Sequence, residues 1–227
     1  MDIARCSNSC KEPRRFRRCP LPKHDLRNGS LNQAAYHLHL FIRDVAGGDF
    51  VSWIDRRLAG AEIGNRRNRI GRLCRSVVEP LSYVHGISDK ILNMTLANLL
   101  LAGTPEREPW VSAGAAMIAV DSLVHNWMWR TGILSGLDAQ HVYGPACYRA
   151  GGCAEIIAVV AARIDARRFN PNFPRSFARF YQKAIWHFCA ELGLNQCNGR
   201  KIDDSGRCHQ TACQLFGSCG RVALNPA

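Results

Sequence analysis

The residues with the most chemistry in this sequence are its cysteines, eleven in a chain of 227 residues. Four of them lie near the C-terminus with ten, four and five residues between them: Cys197, Cys208, Cys213 and Cys219. Four thiolates brought together suit a [4Fe–4S] cluster or a structural zinc ion, with His209 as a candidate substitute ligand. Unligated thiols in a loop-like tail are the alternative.

Two further groups of cysteines carry weaker signals. One lies in an arginine-rich N-terminal arm and fits either a zinc site or an unstructured segment: Cys6, Cys10 and Cys19, with His24. Its spacing matches no defined metal site, so the unstructured arm is the default interpretation. The other pair, Cys147 and Cys153, flanks a glycine-containing loop, for which the sequence predicts no more than a position near a cleft.

A lysine follows a predicted turn between two helices. Residues 81–93 read as a helix end, a tight turn at Gly86 and the start of a second helix, with Lys90 in its first turn. The N–H groups that open such a helix point outward and attract anions, so the turn suits a backbone phosphate of nucleic acid. A plain connection between packed helices, with Lys90 exposed to solvent, is the alternative.

Asp121 stands between an apolar run and a helical pattern, where a carboxylate caps the N-terminus of a helix. A capping carboxylate at a cleft can also take part in catalysis, so the two roles are compatible. His125 and Asn126 follow by one helical turn and are candidates for the same cleft, although positions away from it explain them at least as well.

The chain is strongly basic, with 30 Lys and Arg residues against 18 Asp and Glu residues and a net charge of +12. Arginine binds phosphate in a forked geometry, and a basic protein gathers on polyanions by releasing their counterions. Nucleic acid is therefore the leading partner class, and a solvated basic surface is the alternative.

The sequence also predicts a location. Its first twenty residues lack the apolar segment of a secretory signal, and the longest apolar stretch, 156–164, is too short to span a bilayer. We therefore expect a protein of the cytoplasm or nucleoid with no membrane partner. In that compartment, cysteines bind metals more often than they form disulfides.

The apolar residues recur at helical spacing and nowhere alternate as in strands, so the predicted fold class is all-α. We divide the chain into a basic, cysteine-rich arm at 1–29, a helical domain at 30–194 and a cysteine-rich tail at 195–227. Pro80 is expected to interrupt the chain between two helices. Predicted helices run from 30 to the glycines at 47 and 48, then over 50–58, 68–78, 89–101, 113–130, 154–167 and 176–192.

Residues 81–134 resemble the helix-hairpin-helix DNA glycosylase superfamily, and within it the endonuclease III branch. The family hairpin reads Leu-Pro-Gly-Val-Gly-Arg-Lys-Thr-Ala-Asn, and residues 84–93 align with it as Val-His-Gly-Ile-Ser-Asp-Lys-Ile-Leu-Asn. The catalytic lysine of the family falls on Lys90. Its catalytic aspartate, within a Val-Asp-Thr-His segment, falls on Asp121, and its Arg-x-Gly helix end is similar to residues 130–132. Ser88 replaces the second hairpin glycine, and Leu123 replaces the histidine.

This resemblance implies a two-lobed helical fold of the HhH-GPD type and a role in base-excision DNA repair, as a DNA glycosylase with AP-lyase activity. A damaged or mismatched base of double-stranded DNA would be flipped out of the helix. Lys90 would then attack the sugar C1′ and form a Schiff base, and Asp121 would stabilise the positive charge that develops on the sugar. The excised base is not specified.

The resemblance extends to DNA contacts, cofactor and assembly. It favours a [4Fe–4S] cluster over zinc at the tail cysteines, and a monomer. A non-catalytic DNA-binding protein with the same hairpin is the alternative function, and a metal-stabilised interaction protein without a nucleic-acid role is a second. The residues assigned to DNA contacts are His85, Gly86, Ile87, Ser88 and Arg130.

Overall fold

The structure, a computed structural model, describes residues 30–65, 68–104 and 106–225. These residues form helices and loops without a strand, which confirms the all-α class. The chain divides into two compact units, residues 1–88 and residues 89–227, so the boundary falls within the predicted hairpin. The predicted arm at 1–29, with its three cysteines and His24, lies outside the described residues. None of the described helices has the length and apolar content that crossing a bilayer requires.

Three helices make up the described part of the first unit: α1 (Ser30–Leu40), α2 (Phe50–Glu62) and α3 (Arg69–Ser82). A π-helical segment, Phe41–Val45, continues α1. Helix α2 begins after Asp49, whose side chain accepts a hydrogen bond from the Ser52 N–H at 2.9 Å. Apolar side chains at helical spacing pack α2 against α3, and the buried ones are Trp53, Ile54, Leu58, Leu73, Val77 and Leu81.

Pro80 lies inside α3 and does not end it, which corrects the interruption expected from the sequence. Proline has no N–H, so the carbonyl of Ser76, four residues earlier, loses its helical donor. The guanidinium of Arg57 donates to that carbonyl, with a distance of 2.8 Å between Nε and O. A side chain from α2 thus replaces the missing backbone bond, and the helix continues to Ser82.

Six helices form the described part of the second unit: α4 (Asp89–Leu101), α5 (Glu108–Ala116), α6 (Ser122–Arg130), α7 (Ile133–Gly136), α8 (Cys153–Ala162) and α9 (Ala178–Cys189). Short 3₁₀ helices lie at Pro145–Tyr148 and Ala166–Arg168. The main core of this unit lies among α6, α8 and α9. Its apolar residues include Val120, Val124, Met128, Leu134, Ile157 and Ala161.

The helix predicted over 113–130 is wrong as a single element, because it is α5 and α6 separated by residues 117–121. The chain turns into an extended conformation at Met117, which ends α5. It becomes helical again after Asp121, whose side chain accepts a hydrogen bond from the Val124 N–H at 3.0 Å. The predicted capping role of Asp121 is therefore confirmed. Helix α4 has the predicted bounds.

The helix predicted over 176–192 already ends at Cys189, and the described tail at 195–225 contains no helix, as its sequence predicts. Backbone hydrogen bonds hold it against the end of α6: the Gly220 N–H donates to the Thr131 carbonyl, and the Val222 N–H donates to the Arg130 carbonyl, both at 2.9 Å. The Trp129 indole N–H donates to the Ala223 carbonyl at 3.1 Å. The end of α6 therefore fixes the position of the tail.

Candidate metal centre

Four side chains of the second unit form a compact group that could hold a metal ion. Their ligand atoms all lie within 4.8 Å of one another, and three of the four residues are buried. We call this group the His/Cys centre: His125, His141, Cys147 and Cys153. Sequence reasoning assigns no role to His141 and no more than a position near a cleft to the other three residues, so this centre is not among its predictions.

Four different elements supply these ligands. His125 lies on α6, His141 lies in the loop after α7, Cys147 belongs to the 3₁₀ helix Pro145–Tyr148, and Cys153 is the first residue of α8. The residue before Cys153 is Gly152, where an added Cβ would stand 2.4 Å from the Ala146 carbonyl oxygen. Glycine is required there because the start of α8 packs directly on the backbone that carries Cys147.

The distances within the centre are those of neighbouring ligands. The Sγ atoms of Cys147 and Cys153 each lie 3.5 Å from Nδ1 of His125, and Sγ of Cys153 lies 3.4 Å from Nε2 of His141. The other ring nitrogen of His141, Nδ1, lies 2.7 Å from the Ala139 carbonyl oxygen. A carbonyl accepts and does not donate, so Nδ1 of His141 is the donor in this contact and Nε2 is the ring atom available to a metal beside Cys153.

The two thiols share one hydrogen bond and ionise unequally. The hydrogen bond from Cys153 lowers the pKa of Cys147 to about 3, and His125 contributes in the same direction, whereas burial opposes the shift. The same hydrogen bond, together with burial, raises the pKa of Cys153. Cys147 is therefore the thiol that loses its proton more readily, and a bound metal would displace the proton of Cys153 as well.

A cleft of about 510 Å³ borders the centre at two of its ligands, His125 and His141. His125 and Asn126 share this cleft, whereas Asp121 is not among its lining residues. Aromatic, amide and carboxylate side chains complete the lining: Trp129, Gln140, Tyr143, Asp204 and Asn225, with Val142 and Leu224.

The four tail cysteines that the sequence singles out line one pocket, which we call the tail pocket: Cys197, Cys208, Cys213 and Cys219. Burial raises the pKa of Cys219, and the other three thiols add to that shift through their charge. The Arg221 N–H donates to the Sγ of Cys219 at 3.4 Å. In the described part of the chain, these thiols do not form a group as compact as the His/Cys centre.

Two N–H donors also line the tail pocket. Arg130 is only 3% exposed and forms an ion pair with Asp204, and its Nη1 lies 3.8 Å from the Sγ of Cys197. A hydrogen bond from Cys189 lowers the pKa of Cys197 to about 7, and the charge of Arg130 contributes in the same direction. Burial opposes this shift. The buried indole N–H of Trp127 has no hydrogen-bond partner among the described residues. Arg130 thus faces sulfur and carboxylate in a buried position, and the contact with DNA expected for it stays a prediction.

Lys90 and Asp121 both belong to the second unit and are both half-buried. No ion pair joins them in the part of the chain that the structure describes. Tyr148 lies near the segments of both residues. Its hydroxyl oxygen accepts a hydrogen bond of 2.9 Å from the Val120 backbone N–H, next to Asp121. Burial chiefly raises the pKa of Tyr148, and the charge of Asp89, next to Lys90, adds to the shift.

The predicted hairpin turn follows α3 in the first unit. Gly86 has φ of +85°, a conformation that side chains disfavour, so glycine is needed for this turn. His85 is occupied within the unit, since its Nε2 lies 3.0 Å from Oε1 of Gln33 and its ring packs near His37. Ile87 is half-buried and Ser88 is exposed. Their contact with DNA stays a prediction.

The fold and the site define an all-helical protein with a candidate metal centre of two histidines and two cysteines. Comparison with protein-family models, with curated proteins and with solved structures finds no match to this chain.

Proposed function

We propose that this chain is a zinc protein and that the His/Cys centre holds one structural zinc ion. The observation that carries the proposal is the convergence of four nitrogen and sulfur ligand atoms within 4.8 Å. Two thiolates and two imidazoles are a preferred ligand set of Zn²⁺. Four protein ligands fill a tetrahedron and leave no position for a reactive water, which is typical of structural sites.

The separations support this ion. In a tetrahedral site with Zn–S of about 2.3 Å and Zn–N of about 2.05 Å, a sulfur and a nitrogen ligand stand about 3.5 Å apart. The Sγ–N distances of 3.4 and 3.5 Å in the His/Cys centre agree with that value. The hydrogen bond between His141 and the Ala139 carbonyl is the outer contact that orients a zinc-bound imidazole.

Such an ion would connect α6, the loop after α7, the 3₁₀ helix Pro145–Tyr148 and α8 through side chains that already lie together, so its main effect would be on stability. Metal-bound ligands cannot separate without loss of the ion, and the binding free energy of a structural site adds to the stability of the fold. The loop between α7 and α8 has few apolar anchors of its own, and His141 would be one of its attachments to the core.

The test is the metal content of the purified full chain. Wild-type protein is compared with the Cys147→Ser/Cys153→Ser variant, and Cys74→Ser in α3 is the control because it lies in the other unit. We expect the double variant to lose one equivalent of zinc and the control to lose none. Equal zinc content in all three proteins would contradict the proposal.

For the tail pocket we propose a second metal group, a [4Fe–4S] cluster, with zinc as the alternative. Each thiolate of such a cluster binds a different iron, and four thiolates equally suit a structural zinc ion, so it is the resemblance that favours the cluster. The Trp127 N–H, which has no partner among the described residues, and the Arg130 guanidinium on the pocket wall support this, because N–H groups near sulfur stabilise clusters. Iron and sulfide analysis of anaerobically purified protein, with Cys213→Ser as the variant, tests it.

A second candidate function is the DNA glycosylase with AP-lyase activity that the resemblance implies, acting on damaged or mismatched double-stranded DNA. Two observations favour it. Asp121 is held at the N-terminus of α6 and Lys90 lies in the first turn of α4. Tyr148 is a neighbour of both segments. In this role, Lys90 is the nucleophile and Asp121 stabilises the cationic sugar.

This candidate is tested with an oligonucleotide that contains an abasic site and with borohydride, which reduces a Schiff base to a stable adduct. We expect a covalent adduct for the wild type and none for Lys90→Gln, although the variant still binds DNA. Absence of an adduct with every lesion tried, from a protein that binds the same DNA, would leave the alternative of a non-catalytic DNA-binding protein.

A further inference from the structure

Residues 163–183 form the connection between α8 and α9 and the first half of α9, and they carry a strong excess of positive charge. They contain one acidic residue, Asp165, and six basic residues: Arg163, Arg167, Arg168, Arg175, Arg179 and Lys183. All of the basic residues except Arg179 are exposed. The charge is therefore presented to solvent by a short, continuous part of the chain.

Most of this charge is not neutralised locally. Elsewhere, Arg43, Arg69, Arg130 and Arg200 each form an ion pair with a carboxylate. In residues 163–183, Arg167 is paired with Asp165, whereas Arg163, Arg168 and Arg175 form no ion pair with any described residue. Cations that are left without partners on a fixed segment form a site for a polyanion.

An aromatic ring stands among these cations. Phe169 is 62% exposed, although aromatic side chains usually lie in the core. Its ring contacts Phe180 and Tyr181 of α9, with centroid distances of 5.4 and 6.2 Å. The contacts with α9 fix the orientation of the ring and leave the rest of it open to solvent.

The segment is ordered on α9 before any ligand binds. The Ala166 N–H donates to the Arg175 carbonyl at 2.8 Å, which brings the two arginine-rich stretches together. Phe173 and Phe177 pack on each other and on Phe180, which anchors the loop between those stretches. The cations and the exposed ring are thus held on one preorganised surface, and little conformational entropy is lost when a ligand binds.

We propose that this surface binds single-stranded nucleic acid, with Arg163, Arg168 and Arg175 on phosphates and a base stacked on the exposed face of Phe169. Unpaired arginines supply the contact with the backbone, and an exposed aromatic ring supplies a stacking platform that a base inside a duplex cannot reach. The proposal does not depend on a metal at the His/Cys centre. It names a surface other than the hairpin turn.

The electrostatic part is tested by fluorescence anisotropy of a labelled 15-nucleotide oligothymidylate with the full-length protein at several salt concentrations. The variant Arg168→Ala/Arg175→Ala is compared with Arg200→Ala/Lys201→Ala, which removes the same charge from an exposed part of the tail. We expect about a tenfold loss of affinity near 0.15 M salt, and a salt slope reduced by about 1.4, for the first variant. The control should change the affinity by less than about threefold.

The stacking part is tested with Phe169→Leu, which keeps an apolar contact with α9 but has no aromatic face. We expect about tenfold weaker binding of the single strand, and unchanged binding of a duplex of the same length. Circular dichroism and zinc content, measured in parallel, show whether each variant is folded and keeps its metal.

Two results would overturn the proposal. One is equal binding by the wild type and the Arg168→Ala/Arg175→Ala variant, which would place any nucleic-acid site elsewhere. The other is equal weakening of single-strand and duplex binding by Phe169→Leu, or no weakening at all, which would remove the stacked base. Either result leaves the zinc measurement unaffected, so the two proposals fail separately.

Discussion

The His/Cys centre and the tail pocket use similar ligand chemistry in different settings. The first takes its ligands from α6, α8, a 3₁₀ helix and a loop, inside the main core of the second unit. The second takes four thiols from a tail without helices, around the end of α6. The first group is compact enough for one ion, whereas the second lines a pocket. Secondary structure thus positions four ligands for a single ion, whereas the loops of the tail hold their thiols around a small pocket of about 20 Å³.

The largest expected difference between the two regions is in thermal stability. Removing zinc with Cys147→Ser/Cys153→Ser should lower the free energy of unfolding by at least about 4 kcal/mol, because a structural ion contributes directly to folding. For a chain of this size that is a drop in Tm of about 8–16 °C. Cys208→Ser/Cys213→Ser should lower Tm by less than about 6 °C, because the tail can open locally. Scanning calorimetry measures both, and a larger drop for the tail variant would reverse the comparison.

The next largest difference is expected between the buried ion pair of Arg130, at the tail pocket, and the exposed ion pair of Arg200. Arg130→Met removes a buried partner of Asp204 and should cost about 3 kcal/mol of unfolding free energy. Arg200→Met removes an exposed ion pair with Glu191 and should cost less than about 0.5 kcal/mol. Urea denaturation of both variants gives these values. Similar small effects would show that Arg130 is not needed to hold the tail against α6.

Gly152 tests how closely the two cysteines of the His/Cys centre must approach. Gly152→Ala places a Cβ against the Ala146 and Cys147 carbonyl oxygens, so we expect a loss of about 2 kcal/mol and weaker retention of zinc against a chelator. Gly136→Ala in α7 is the matched control, because nothing lies within 4 Å of its added Cβ. A variant at Gly152 that keeps its zinc as the wild type does would mean that the backbone shifts without moving Cys153.

Removal of metal should have its smallest effect on the alkylation of Cys74. This cysteine lies in the first unit and belongs to neither metal group. Burial raises its pKa to about 11, so at pH 8 its thiol is protonated and should resist alkylation by iodoacetamide. Mass spectrometry after labelling, with and without chelator, measures this. The chelator should expose Cys147 and Cys153 to labelling but leave Cys74 unlabelled. Rapid labelling of Cys74 in the folded protein would contradict the raised pKa of this half-buried thiol.

Several structural features followed from the sequence because they depend on local pattern. The bounds of α4, the capping by Asp121 and the helix-free tail all reflect neighbouring residues. The number of cysteines in the tail also predicts that they lie together, and all four line one pocket. Pro80 was misjudged because its effect is cancelled by Arg57, a residue of another helix, and such compensation leaves no mark in the local sequence.

The His/Cys centre was missed for a related reason. The end of α6, the whole of α7 and a loop separate His125 from His141, and neither pair of ligands has the short spacing of a familiar zinc motif. Their convergence depends on how α6 and α8 pack, which the sequence does not specify residue by residue. One signal for the centre was available in the sequence, namely the cysteines Cys147 and Cys153 on either side of Gly152. Glycine at that position allows the two backbone segments that carry these cysteines to approach closely.

The most direct test of the central claim is X-ray absorption at the zinc edge, on protein that carries Cys208→Ser/Cys213→Ser so that only the His/Cys centre contributes. The account predicts two sulfur ligands at about 2.3 Å and two nitrogen ligands at about 2.05 Å. A shell of four sulfurs, or one dominated by oxygen, would contradict it.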